Sequence, residues 1–154
     1  MSLTERIQQD MVAAMKQHAE LRLSTLRMAK AALKNREIEL RRPLEEAEAQ
    51  QVFASLIKQR DDAAVQFAAG GRPELAAKER EEIAILESYL PRALSAQEIE
   101  AAVRAAIAET GASSPRDMGK AMKAAMAHFQ ANQQRVDGKQ VSETVKRLLT
   151  PAGQ

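Results

Sequence analysis

The sequence contains no cysteine. Disulfides, thiolate metal ligands and cysteine nucleophiles are therefore excluded. Tryptophan is absent too, and the aromatic residues are Phe53, Phe67, Phe129 and Tyr89 alone. A core must be assembled from Leu, Ile, Val, Met and Ala. Glycine and proline are few, six and five in 154 residues, and they fall between the periodic segments. No alternating run rich in β-branched residues occurs, so no strand is expected. No long uncharged apolar stretch occurs either, which argues against a transmembrane helix. His18 and His128 lack a second ligand one turn on, where Arg22 and Asn132 stand. No metal site is expected. No nucleophile elbow, Walker A loop or dinucleotide glycine pattern is present, and no cofactor is expected. The first residues read as a helix start and not as a signal peptide, so the expected location is cytoplasmic.

What the chain does have is Ala, Leu, Glu, Lys, Arg and Gln, the strongest helix formers. The fold class that follows is all-α. Ser2 with Glu5 forms a capping box, which predicts a first helix with Leu3, Ile7, Met11 and Met15 inward. A second helix is predicted over 21–41, with Leu26, Ala29, Leu33 and Leu40 inward, stopped by Pro43. A third starts near Leu44, with Glu45, Glu46 and Glu48 in its first turn and Val52, Leu56, Ala63 and Phe67 on its buried face. Gly70-Gly71 ends it. A fourth follows Pro73 and carries Leu75, Ile83, Leu86 and Leu90. The boundary falls after Pro91. An antiparallel bundle of about four helices over 1–91 is expected to precede a unit of about three helices over 92–154. In the latter, Ser95 with Glu98 caps a helix carrying Ile99, Val103 and Ile107. Ser114-Pro115 opens one carrying Met118, Met122, Ala125 and Phe129. Asp137 with Gln140 opens the last, with Val141, Val145 and Leu148 inward.

Charge is distributed unevenly. Residues 1–91 carry 14 basic against 15 acidic side chains, and residues 92–154 carry 9 against 6. Within the C-terminal part, Lys120, Lys123, Arg135, Lys139 and Lys146 form a candidate anion-binding surface. Gly119 leaves a bare notch beside Lys120 where a backbone or phosphate can approach closely. The start of the last helix, near Arg135 and Lys139, presents free N–H groups that favour an anion. The alternative is a solvated helix face with Gly119 serving helix packing. A second basic stripe, Arg27, Lys30, Lys34 and Arg41, has spacings of 3, 4 and 7 and lies beside the leucine face of the second helix. It can track a phosphate backbone, or equally cover the bundle edge. The carboxylates Glu79, Glu81, Glu82 and Glu87 can do acid–base work or bind a cation, but beside Lys78 and Arg80 they fit a solvated, ion-paired face.

Several stretches resemble the YqeY-type proteins of the GatB/YqeY family. They are Ser2-Leu3-Thr4-Glu5-Arg6-Ile7, Leu26-Arg27-Met28-Ala29-Lys30, Ile85-Leu86-Glu87-Ser88-Tyr89-Leu90-Pro91 with Leu94-Ser95, Asp117-Met118-Gly119-Lys120, and Asp137-Gly138-Lys139. They occur in order along nearly the whole chain. The resemblance implies two helical subdomains. It also implies a C-terminal part similar to the tail of GatB, a subunit of the tRNA-dependent amidotransferase, a carbon–nitrogen ligase that uses glutamine as amido donor. That tail helps hold the tRNA, while catalysis lies in other domains. The expected role is therefore an accessory protein that binds tRNA or an RNA-bearing complex, with no stand-alone activity and no catalytic residues of its own. The expected partners are a structured RNA and an amidotransferase or another translation-related protein, with no membrane. The alternative is a non-catalytic protein–protein adaptor. One departure is visible. The family runs Lys-Gly-Arg-Ala-Asp-Gly before the last helix, where this chain has Gln133-Gln134-Arg135-Val136-Asp137-Gly138.

Overall fold

The computed structural model describes residues 1–151 and is helical throughout, with seven α-helices and one 3-10 turn. The helices are α1 (Leu3–Lys16), α2 (Glu20–Leu40), α3 (Glu46–Ala69), α4 (Pro73–Glu87), α5 (Ala96–Thr110), α6 (Met118–Ala131) and α7 (Gly138–Leu149). The 3-10 turn, Pro115–Asp117, leads into α6. The residues fall into two compact units, Met1–Leu90 and Pro91 onward, each with its own apolar core.

In the first unit, the Ser2–Glu5 capping box starts α1. Leu3 and Ile7 are buried and Met11 packs at the edge, but Met15 is 52% exposed and Ala14 takes its place inside. Steps of four residues turn 400°, so the stripe drifts by about 40° each time and Met15 has rotated out. Leu26, Ala29 and Leu33 of α2 are buried. The buried face of α3 is Ala49, Phe53, Leu56 and Ala64, while Val52, Ala63 and Phe67 are half-buried beside it. α3 begins with a Glu45–Glu48 capping box, and its left-handed terminating glycine is Gly71. Pro73 is the first residue of α4, which buries Ile83 and Leu86 and ends before Leu90. Tyr89, just past its end, is 4% exposed and meets Phe53 edge-on at 5.9 Å. Each fully buried Leu, Ile or Phe contributes about 1.5–3 kcal/mol.

Of the carboxylates of α4, Glu82 has a structural role. Glu82 lies 3.0 Å from Arg60 Nε, with both side chains largely buried between α3 and α4. Arg80 pairs with Asp61. Among the described residues, no group of three or more His, Asp or Glu side chains could hold a metal ion.

In the second unit, the Ser95–Glu98 capping box starts α5, and Gly111 closes it in the left-handed conformation at φ 70°. Ile99, Val103 and Ala106 face Ala121, Ala125 and Phe129 of α6 and Val141, Val145 and Leu149 of α7. The core position of α7 is thus Leu149, with Leu148 half-buried. Asp137 caps α7 by accepting from the Lys139 N–H, with no reciprocal bond from Gln140. Ser114-Pro115 opens the 3-10 turn, and α6 proper starts three residues later. The segment before α5 is pinned to the α6–α7 connection, where the Leu94 N–H donates to the Arg135 carbonyl at 2.9 Å.

Candidate nucleic-acid interface

The two basic surfaces differ in how much of their charge is already engaged. On α2, Arg27 is exposed and forms no ion pair among the described residues, Lys30 donates to the neutral Gln8 Oε1 at 2.6 Å, and Lys34 stands 3.6 Å from Glu37. Arg36 pairs with Glu39 at 2.8 Å, and Arg42 grips Glu48 through both terminal nitrogens. Arg22 is held by Asp10 and Tyr89. Arg41 does not continue the Arg27, Lys30, Lys34 stripe, because α2 closes at Leu40 and Arg41 occupies a left-handed cap at φ 57°. The expected spacing assumed an unbroken helix. The cap re-aims the chain before Pro43.

In the second unit, four of the six carboxylates are engaged, those of Glu98, Glu100, Asp117 and Asp137. Glu98 accepts from Arg92 and from the Ser95 N–H that it caps. Glu100 receives Arg104 at 2.8 Å and Arg147 at 3.4 Å, which ties α5 to α7. Both guanidinium groups, Arg104 first, hold the Glu100 carboxyl below the usual range. Asp117 accepts from the Ser113 N–H at 2.9 Å, and its carboxyl is lowered chiefly by that bond, then by the Ser114 N–H and the charge of Lys120. Asp137 caps α7. Each of these carboxylates closes a helix end or balances an arginine.

The lysines are left outward. Lys120, Lys123, Lys139 and Lys146 are exposed, and none of them forms an ion pair among the described residues. Lys120 and Lys123 share one face of α6 at i,i+3, beside the exposed Arg116. Lys139 and Lys146 share one face of α7, about 10 Å apart along its axis. α7 packs on α6 and also on the 3-10 turn that precedes α6, so it runs back along its neighbour. Lys146, in the last turn, therefore lies toward the Arg116–Lys120 end and Lys139 toward the other. Arg135 is half-buried and already engaged, so it stands apart from the four lysines. Glu143 lies on the Lys139–Lys146 face, an acidic interruption that counting basic residues did not register.

Gly119 is the second residue of α6, and a Cβ built on it would meet nothing within 4 Å. Helix packing does not require this glycine. The notch faces open space beside Lys120.

A model of the family described as Yqey-like protein matches residues 4–149. The chain belongs to the YqeY-like family. This YqeY-like chain is also similar to proteins named "Altered inheritance of mitochondria protein 41, mitochondrial" in two yeasts. The protein of Kluyveromyces lactis is 39% identical over 101 residues, which cover 63% of this chain and 54% of the relative. That of Lachancea thermotolerans is 31% identical over 112 residues, covering 71% and 60%. The YqeY-like chain therefore spans little more than half the length of these relatives. Their names overturn the expectation of a cytoplasmic protein. That expectation rested on the lack of a membrane-crossing helix and on a helix-like start, and neither feature specifies a compartment. Among the described residues no helix is long and apolar enough to cross a membrane.

Proposed function

We propose that this YqeY-like chain is an accessory RNA-binding protein that holds tRNA, or an RNA-bearing complex, on the lysine face of its second unit. The observation that carries the reading is the division of charge there. Glu98, Glu100, Asp117 and Asp137 cap helices or balance arginines, while Lys120, Lys123, Lys139 and Lys146 are exposed and form no ion pair among the described residues. Desolvating such lysines against phosphate releases condensed counterions and favours binding without new structure in the protein. The resemblance to the GatB tail, which helps hold tRNA, supports the same surface. No residue is assigned a catalytic role, and the amidotransferase relation is one of resemblance only. A filter-binding titration at low salt tests the proposal. Retention of tRNA well above an uncharged polymer is expected, and equal, negligible retention of the two would refute it.

A second reading is a protein–protein adaptor, favoured by exposed apolar side chains on the first unit, Met15 at 52%, Ile38 at 64% and Val65 at 57%. A partner captured from cells in a nuclease-resistant manner would support it, and capture that nuclease abolishes would count against it.

A further inference from the structure

Resting on the RNA-binding reading, we infer that the second unit grips the paired, double-helical part of an RNA by its phosphate backbone and does not bind unpaired bases. Three observations carry this. First, Lys139 and Lys146 are about 10 Å apart along α7, and Lys120 and Lys123 sit on a different helix. No single phosphate can satisfy this array. It fits a ligand that carries several phosphates.

Second, the face offers no aromatic platform for stacking. Proteins that bind single strands stack successive bases on exposed aromatic rings. The one aromatic carbocycle in this unit, Phe129, is 1% exposed and fills the core. His128 is exposed, but it lies about 140° round α6 from Lys123, edge-on to Phe129 and beside Asn132. Of the planar guanidinium groups, which could stack on bases, those of Arg92, Arg104 and Arg147 are held by Glu98 and Glu100, which leaves Arg116 as the exposed one beside Lys120.

Third, the projecting groups are predominantly lysine heads, which act as point charges and do not form the bidentate forks that read base edges. A flexible single strand must lose conformational freedom to align its phosphates with this array. Without aromatic rings to stack on, only the phosphate contacts offset that loss. A duplex arrives with its phosphates already ordered, so its ordering cost is small. Recognition of this kind follows the shape and backbone of the A-form helix, across its shallow groove, and is indifferent to sequence.

The test is fluorescence anisotropy of the full chain at low salt with three labelled ligands. They are an RNA duplex of about 16 base pairs, an unstructured oligouridine with the same number of phosphates, and tRNA. The duplex is expected to bind more tightly than oligouridine by roughly tenfold, the worth of about one base stack. Duplexes of unrelated sequence are expected to bind alike. The Lys139→Ala/Lys146→Ala variant is expected to weaken duplex binding several-fold with its helical circular dichroism unchanged. Oligouridine binding as tightly as the duplex, with tRNA still bound, would overturn the duplex inference and leave the RNA reading standing. Failure of tRNA to bind above an uncharged polymer would overturn the RNA reading and this inference together.

Discussion

The Tyr89 hydroxyl donates to the Asp10 carboxylate and accepts from Arg22, so the segment that follows α4 is tied to both α1 and α2. Its ring lies under the Arg6 guanidinium at 5.1 Å and meets Phe53 of α3. One side chain thus joins all the helices of the first unit, which gives the Tyr-Leu-Pro segment a structural role.

Tyr89→Phe keeps the ring and removes two hydrogen bonds. A loss of about 1–2 kcal/mol is expected in urea unfolding. Tyr89→Ala also opens a cavity, and a loss of about 3–5 kcal/mol is expected. Burial first, and then the bond to Asp10, push the phenol up to about 12. The folded state therefore keeps its proton where the unfolded state has lost it. The contribution is complete below the ordinary tyrosine pKa near 10 and is lost as pH rises from there through about 12. Tyr89 is the sole tyrosine, so its ultraviolet titration is read directly. Ionisation near 10 in the folded protein would refute the buried, bonded phenol.

Glu48 is held down to about 2, chiefly by Arg42 and then by the Glu45 N–H. A lowered carboxyl contributes stability above its unfolded pKa and loses it as pH falls through the folded one. The stability difference between wild type and Glu48→Gln should therefore be greatest above about pH 5 and shrink toward pH 2. It should also diminish with added salt, because the pair is exposed to solvent. A difference independent of pH would contradict the assignment.

Gln133 closes α6 in the left-handed conformation at φ 52°, while the Gln134 N–H reaches back to the Phe129 carbonyl at 2.8 Å. A side chain is strained there and glycine is not. Gln133→Gly is expected to stabilise the chain by about 0.5–1 kcal/mol in thermal or urea unfolding. Destabilisation by that amount would show that the turn is held differently. The strained residue immediately precedes Gln134, the place where the family pattern carries glycine.

Much of this fold was legible in local sequence. The Ser2–Glu5 and Ser95–Glu98 boxes set helix starts through bonds within four residues, and those are local chemistry. What was not legible depended on neighbours. Val52 and Phe53 lie only 100° apart on α3, as do Leu148 and Leu149 on α7, so periodicity could not decide which one faces inward. The facing helices decide it. Tyr89 was hidden for the same reason, since its partners are as far away in sequence as Asp10. Arg41 left the basic stripe because a left-handed cap cannot be read from spacing. Of the candidate interface, the lysine positions were legible on their helices. The tie of Glu100 to Arg147 and the bond from the Ser113 N–H to Asp117 were visible only in three dimensions.

Gly119 has room for a side chain and lies in a helix. Gly119→Ala should therefore raise stability by up to about 1 kcal/mol. If the notch admits a phosphate beside Lys120, the same change weakens RNA binding. Stability and affinity are expected to move in opposite directions, measured by urea unfolding and by tRNA titration. Unchanged affinity in the stabilised variant would remove Gly119 from the interface.

The central claim is tested most directly by the salt dependence of tRNA binding in the Lys120→Ala, Lys123→Ala, Lys139→Ala, Lys146→Ala variant. Each phosphate contact removed should flatten the slope of log affinity against log salt by about one unit. The account predicts weaker binding and a slope shallower by several units, with unfolding essentially unchanged because all four side chains are exposed. It further predicts that Arg27→Ala, Lys30→Ala, Lys34→Ala on α2 leaves the slope as it was. A quadruple variant that binds tRNA with wild-type affinity and slope would contradict the assignment of RNA binding to the second unit.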